Sequence, residues 1–216
     1  VALLVAVTGV LLNHTEDFDF DSRHVQSNWV LDWYGIEPPA DLLSFPLADR
    51  HVTLMAEHLY LDRKEIEGEY RDLVGAVQMG DVFVVAVSNS ILLLTPRGEL
   101  IERLQVEDGV PAGIKRIGTD AQGALVLEGS HVLYRTDKDF LHWQHADSPV
   151  PSIQWARPGA LEPQLKSSLQ NHFRGEVLPI ERLVLDLHSG RFFGPLGPWV
   201  VDAAAVLITL LALSGT

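Results

Sequence analysis

The feature that most constrains this chain is its last stretch, PWVVDAAAVLITLLALSGT. From Trp199 to Gly215 the only ionisable residue is Asp202. Counted from Phe192, the apolar run approaches the roughly 20 residues a helix needs to cross about 30 Å of hydrocarbon. Asp202 is expected in the first turn after Pro198, where a carboxylate favours the helix N-terminus and still reaches the headgroups. A buried C-terminal helix of a soluble protein is the alternative reading of the same composition.

The other end matches. VALLVAVTGVLLNH is apolar up to Asn13, and the chain then turns acidic at TEDFDFD. Thirteen helical residues rise only about 20 Å, too short to span. With no initiating Met, no basic leader and no A-x-A site, a signal peptide fits poorly. The simpler expectation is a transmembrane helix over 1–14 that begins before Val1, and a second over 193–216 that continues past Thr216. Residues 15–192 then form one domain on a single side of the membrane. That segment holds all 16 basic residues and 28 of the 29 acidic ones, Asp202 being the exception. A net charge of −13 argues against a nucleic-acid or anionic-membrane surface. The chain has no cysteine, so it has no disulfide, thiolate metal site or Cys nucleophile. That suits a bacterial periplasmic domain.

Within the segment, DSRHVQSNWVLDWYGI has Ser22 as a candidate N-cap. Val25, Trp29 and Trp33 form a helical stripe closed by Gly35. Trp29, Trp33 and Trp199 all lie near the membrane boundaries, where indoles concentrate, although Trp29 and Trp33 fit a soluble core equally well. IEPPADLLSFP reads as a Pro-rich connection. The middle is β-rich. VFVVAVSNSILLLTPRGELIERL reads as three strands and two turns. It recurs 41 positions on as ALVLEGSHVLYRTDKDFLHW, matching Leu92 to Leu133, Thr95 to Thr136 and Leu100 to Leu141. HVTLMAEHLYLDRKEIEGEY is an earlier, shorter version. A period near 40 resembles propeller blades, but three units are too few to close an ordinary propeller. Small stacked antiparallel sheets are expected, with plain meander hairpins as the alternative. Leu165, Leu169 and Phe173 mark an amphipathic helix ending at Gly175, and PIERLVLDLHSG fits a helix or a strand.

The stretches flanking the apolar ends, AVTGVLLNHTE with WVLDWYGI and IERLVLDLHSGRFFGPLGPWVVDAAAVLITLLALSG, resemble the PepSY-associated transmembrane family of bacterial inner-membrane proteins. Two motifs carry the resemblance: a Thr-Gly or Ser-Gly pair ending a helix (Thr8-Gly9, Ser214-Gly215), and Leu-His-x-Gly before a later one (Leu187 to Gly190). Together the matching stretches cover about a quarter of the chain. The resemblance implies a periplasmic domain between membrane helices. Some relatives reduce ferric siderophores and hold haem between their helices. This chain departs from them in showing two helices and no recognisable PepSY module.

Among the nine histidines, His14 and His188 are the candidate haem ligands, one at each polar boundary. Interfacial hydrogen bonding is the other role open to them. His142 and His145 lie three apart and need a turn to converge. TEDFDFD lacks the Gly and terminal Glu of an EF-hand loop and reads as a solvated acidic rim. No G-x-S-x-G, G-x-G-x-x-G or G-x-x-x-x-G-K occurs. The expected function is therefore a non-catalytic, membrane-anchored subunit in contact with lipids and other membrane subunits. Its helices would pack through the small residues Gly9, Ala203, Ala204, Ala205 and Gly215. A haem-bearing redox component is the alternative.

Overall fold

Short turns organise the β-rich middle. The computed structural model describes residues 1–130, 132–136, 140, 142–146 and 152–215. The chain divides into two compact units, residues 39–169 and residues 1–38 with 170–216. In the first unit, antiparallel neighbours form three sheets in chain order. One contains β1 (Leu42–Leu47), β2 (Arg50–Met55), β3 (His58–Leu61) and β4 (Lys64–Ile66). The next contains β5 (Gly75–Met79), β6 (Val82–Val87), β7 (Ser90–Leu94) and β8 (Leu100–Leu104). The third contains β9 (Arg116–Thr119), β10 (Leu125–Glu128), β11 (Leu133–Thr136) and β12 (Trp143–His145), with β13 (Gln154–Trp155) on the free edge of β9.

Five hairpins close over two residues, and in each the first has positive φ: Ala48, Ala56, Asp62, Gly80 and Ser88. Such turns match the right-handed twist of the flanking strands. Asp62 adds a local lock, its carboxylate accepting from the His51 backbone N–H at 2.9 Å and from Arg50 Nη1 at 3.2 Å. The stretch expected as a Pro-rich connection supplies all of β1 but its last residue, Leu47. Pro46 is tolerated there because β1 is an edge strand paired only with β2.

Two apolar cores lie between the sheets. Phe45, Leu59, Leu61, Val85, Leu92 and Leu94 join the first sheet to one face of the second. Val84, Ile91, Leu93, Ile117, Leu125 and Leu127 join its other face to the third. Alternation along β6 and β7 sends successive side chains into opposite cores, so these strands are buried almost throughout. The segment 154–159 then runs back across the stack as a strap. Ala156 donates its N–H to Ile117 O at 2.9 Å on β9, and Gly159 donates to Ser44 O at 2.8 Å on β1. Ala156 packs against both cores. The strap approaches β9 so closely that a Cβ on Gly118 would lie 2.6 Å from the Gln154 carbonyl oxygen.

The repeat is real at the level of strands and wrong by one residue in register. Segments 82–105 and 124–145 supply β6 to β8 and β10 to β12, as expected. The turns, however, place Val87 opposite Ser90 in one hairpin and Gly129 against Val132 in the other, an offset of 42 rather than 41. Leu92, opposite Val85, therefore corresponds to Tyr134, opposite Leu127. A one-residue slip reverses every side chain. Leu92 is fully buried, while Leu133 is half-buried beside its turn. Leu141, paired with Leu100 in the sequence comparison, lies outside the described residues, as does His131.

The second unit is helical. It contains α1 (Ala2–Asn13), α2 (Asn28–Trp33), the end of α3 (Pro163–Gly175), α4 (Ile180–His188) and α5 (Gly197–Ser214). On α3, Leu169 is buried and Leu165 and Phe173 are half-buried, the stripe the sequence indicated. α2 is shorter than expected: Ser27, not Ser22, precedes it, and Val25 lies outside it. Its buried residues are Val30 and Leu31, whereas Trp29 and Trp33 are exposed, so the proposed stripe is the outward face. Val25 instead donates its N–H to Leu178 O at 2.9 Å, and Ile180 donates to Arg23 O at 2.8 Å.

PIERLVLDLHSG resolves as helix, with Val184 buried and Ile180, Leu183 and Leu187 half-buried on one face. α1 packs on α4 and α5. The link from α4 to α5 turns at Gly190 (φ +78°), and its backbone closes against Gly197. A methyl group on Gly197 would overlap the Gly190 carbonyl. Asp202 falls in the second turn of α5 rather than the first, because the helix begins at Gly197.

Candidate functional site

α1 and α4 bring polar groups together inside an otherwise apolar layer. Thr8, nearly fully buried, lies 3.0 Å through Oγ1 from His188 Nδ1. The same hydroxyl donates to Leu4 O at 2.7 Å, with Val5 O at 3.2 Å. A hydroxyl has one hydrogen, and here it is committed to the preceding helical turn. With that hydrogen directed at Leu4 O, the Thr8 oxygen is placed to accept from His188 Nδ1–H. Gly9 lies beside the same ring: an added Cβ would stand 3.4 Å from His188 Cε1, an ordinary contact distance.

His14 lies at the C-cap of α1 and is exposed. Its Nδ1 lies 2.6 Å from Asp17 Oδ2. A carboxylate is an acceptor, so Nδ1 of this ring carries a hydrogen. The two histidines differ in level. His188 sits beside Thr8, six residues before His14, and six residues of helix rise about 9 Å. The structure brings His188 to α1 without bringing it to the end where His14 lies.

A second polar group sits on α4. Asp186 is buried, and its Oδ2 accepts from the Tyr34 hydroxyl at 3.0 Å and from Arg182 Nε at 3.1 Å. Its Oδ1 has no hydrogen-bond partner among the described residues. Burial, then the hydrogen bond to Asp186 and the charge of that carboxylate, push the Tyr34 hydroxyl up to about 12, with Arg182 acting in the opposite sense. Arg174, also buried, donates to Ile36 O at 2.8 Å and pairs with Asp32. These contacts fix α2. Sequence reasoning missed both networks, because Tyr34 and Asp186 lie 152 positions apart and neither stands in a recognisable motif.

The other expected packing residues divide. Ala203 and Ala204 line an open apolar groove with Leu196, Trp199, Val200 and Leu207. Ala205 is exposed. Gly215 is the left-handed C-cap of α5 with nothing within 4 Å of its Cβ position, so it ends the helix and packs against nothing described. In the β unit, His145 meets Tyr134 edge-on at 5.0 Å, while His142 borders a cavity with Arg135, Thr136 and Gln122. Beside that cavity Asp120, almost wholly buried, accepts from the N–H groups of Gln122 and Ala124, both at 2.9 Å, and from Arg135 Nε at 2.7 Å. This set locks the β9–β10 turn; its charges are satisfied internally.

The feature that stands out is exposed apolar surface on the helical unit. Among the described residues, α5 alone is a helix long and apolar enough to cross a membrane, and 6% of its 18-residue window is buried. No protein family, curated protein or solved structure matches this chain.

Proposed function

We propose that the chain is a non-catalytic, membrane-anchored subunit of the PepSY-associated transmembrane kind, held in a bacterial inner membrane with its β unit in the periplasm. The observation that carries this reading is α5, 18 residues of apolar helix with almost none of its surface covered. A soluble core helix of that composition would be buried. α1 is the second membrane helix in this reading: Thr8 and Asn13 are its only polar side chains, and Val1, Leu3, Val7 and Val10 around it are exposed. The three sheets are read as propeller-like blades, each beginning with the strand nearest its neighbours, since β1 packs beside β5 and β5 beside β9. Three blades and a strap form a rigid module for docking on a periplasmic partner. The groove at Ala203 and Ala204 suits close approach of another helix in lipid. Lipids and further membrane subunits are the partners, and the acidic net charge disfavours nucleic acid.

The test has two parts. The full chain is expected to stay in the membrane pellet through an alkaline carbonate wash; release to the supernatant would refute anchoring. A photoreactive amino acid at Ala203 is expected to cross-link to another polypeptide, and cross-links to lipid alone would refute the subunit role.

A second reading rests on the seating of His188 against Thr8. Nε2 is the ring atom that would hold haem iron, with Thr8 orienting the ring through Nδ1. Haem would supply one-electron chemistry. Residues of this chain would bind it and exclude water. A visible absorption spectrum of the membrane-extracted protein decides: a Soret band lost in His188→Ala supports this reading, and its absence in the intact chain ends it.

A further inference from the structure

We propose that α2 and the turn before α5 together form a platform that lies flat in the lipid interface, with Trp29 and Trp33 seated at headgroup depth. This rests on the anchored reading and adds a second membrane contact outside the spans. Trp29 and Trp33 stand four residues apart, on one face of α2, and both are exposed. Both rings pack on Phe192, with centroids 6.3 and 5.8 Å away, and Phe193 meets Phe192 edge-on at 5.4 Å. Leu196 and Trp199 continue the same apolar surface into α5, and they are 75% and 73% exposed. Exposed apolar patches of this kind mark interaction sites.

The chemistry of the patch selects lipid. Its polar groups are already engaged within the chain. The Trp33 indole N–H donates to Phe192 O at 2.9 Å, and the largely exposed Asp32 carboxylate pairs with Arg174. What remains on display is ring surface, with the Trp29 indole 66% exposed. An apolar body with one donor at its edge suits the boundary between acyl chains and headgroups. Continuity with α5 sets the depth, because Trp199 lies in that helix's first turn. α2 is held in place from behind by Arg174 and by the Tyr34–Asp186 bond.

The experiment uses the full chain with fluorotryptophan incorporated, reconstituted in phosphatidylcholine–phosphatidylglycerol nanodiscs. Fluorine NMR lines are assigned by single Trp→Phe variants. Spin-labelled lipid carrying its label near the headgroup is expected to broaden the Trp29, Trp33 and Trp199 lines, and an aqueous gadolinium chelate to leave them sharp. Trp143 and Trp155, in the β unit, should not respond to the lipid label. If Trp199 responds to lipid while Trp29 and Trp33 respond only to the aqueous agent, the platform is overturned and the anchor stands. If Trp29 and Trp33 are shielded from both agents, a protein surface covers them and the proposal is likewise overturned. If Trp199 also fails to respond to lipid, the anchored reading itself fails.

Discussion

Gly118→Ala tests the strap that ties the third sheet to the first. A Cβ at this position would lie 2.6 Å from Gln154 O and 3.0 Å from Trp155 Cα, both backbone atoms that no side-chain rotation can move. Ordinary contact needs nearly 1 Å more, so β13 must lift off β9. The loss includes the β13–β9 pairing and the Ala156 N–H bond to Ile117 O, roughly two hydrogen bonds at about 1 kcal/mol each. Arg116 also stacks on the Trp155 ring at 4.3 Å, a contact at a largely exposed site that contributes about 0.5–1 kcal/mol. Alanine returns about 0.5–1 kcal/mol through the lower backbone entropy of its unfolded chain. The net expectation is a destabilisation of about 2 kcal/mol. Urea unfolding of the detergent-solubilised chain, followed by tryptophan fluorescence, gives the magnitude. Hydrogen exchange at the Ala156 amide gives the location. Wild-type stability with a fully protected Ala156 amide would show that the strap is not seated as described.

Leu92→Ala should cost about 2–5 kcal/mol because Leu92 is wholly buried between two sheets, whereas Leu133→Ala should cost roughly 1 kcal/mol or less at its half-buried position. Equal losses in urea unfolding would restore the 41-residue register and refute the 42-residue one. The raised Tyr34 pKa, about 12 against an unfolded value near 10, means that the folded chain holds a proton the unfolded chain has released. That stability is fully present below pH 10 and is lost as pH rises from 10 to 12. Tyr34→Phe should flatten this part of the stability–pH curve, and an unchanged slope would contradict the assignment.

What could be read from the sequence followed from local chemistry. Turn residues between apolar runs marked β6 to β8 and β10 to β12, and the Leu165, Leu169, Phe173 spacing marked α3. The misses have physical causes. β1 was hidden by Pro46, which only its edge position makes tolerable. The register slipped by one because leucines recur in both strands, and the identity of a residue does not reveal the face it occupies. The apolar spacing overextends α2 because Val25 continues its period while the Val25 backbone pairs with Leu178. His188 was legible as a boundary histidine, but its partner Thr8 was not. A threonine inside an apolar helix ordinarily bonds its own preceding turn, and nothing local announces a ring 180 positions away.

The measurement that bears most directly on the central claim is the side of the membrane on which the β unit stands. The chain has no cysteine, so a single Arg97→Cys change in the exposed β7–β8 turn provides one unique label site. In intact spheroplasts a membrane-impermeant maleimide should label this cysteine fully, with no gain after lysis. Protection in intact spheroplasts, followed by labelling only on lysis, would put the β unit in the cytoplasm and contradict the account.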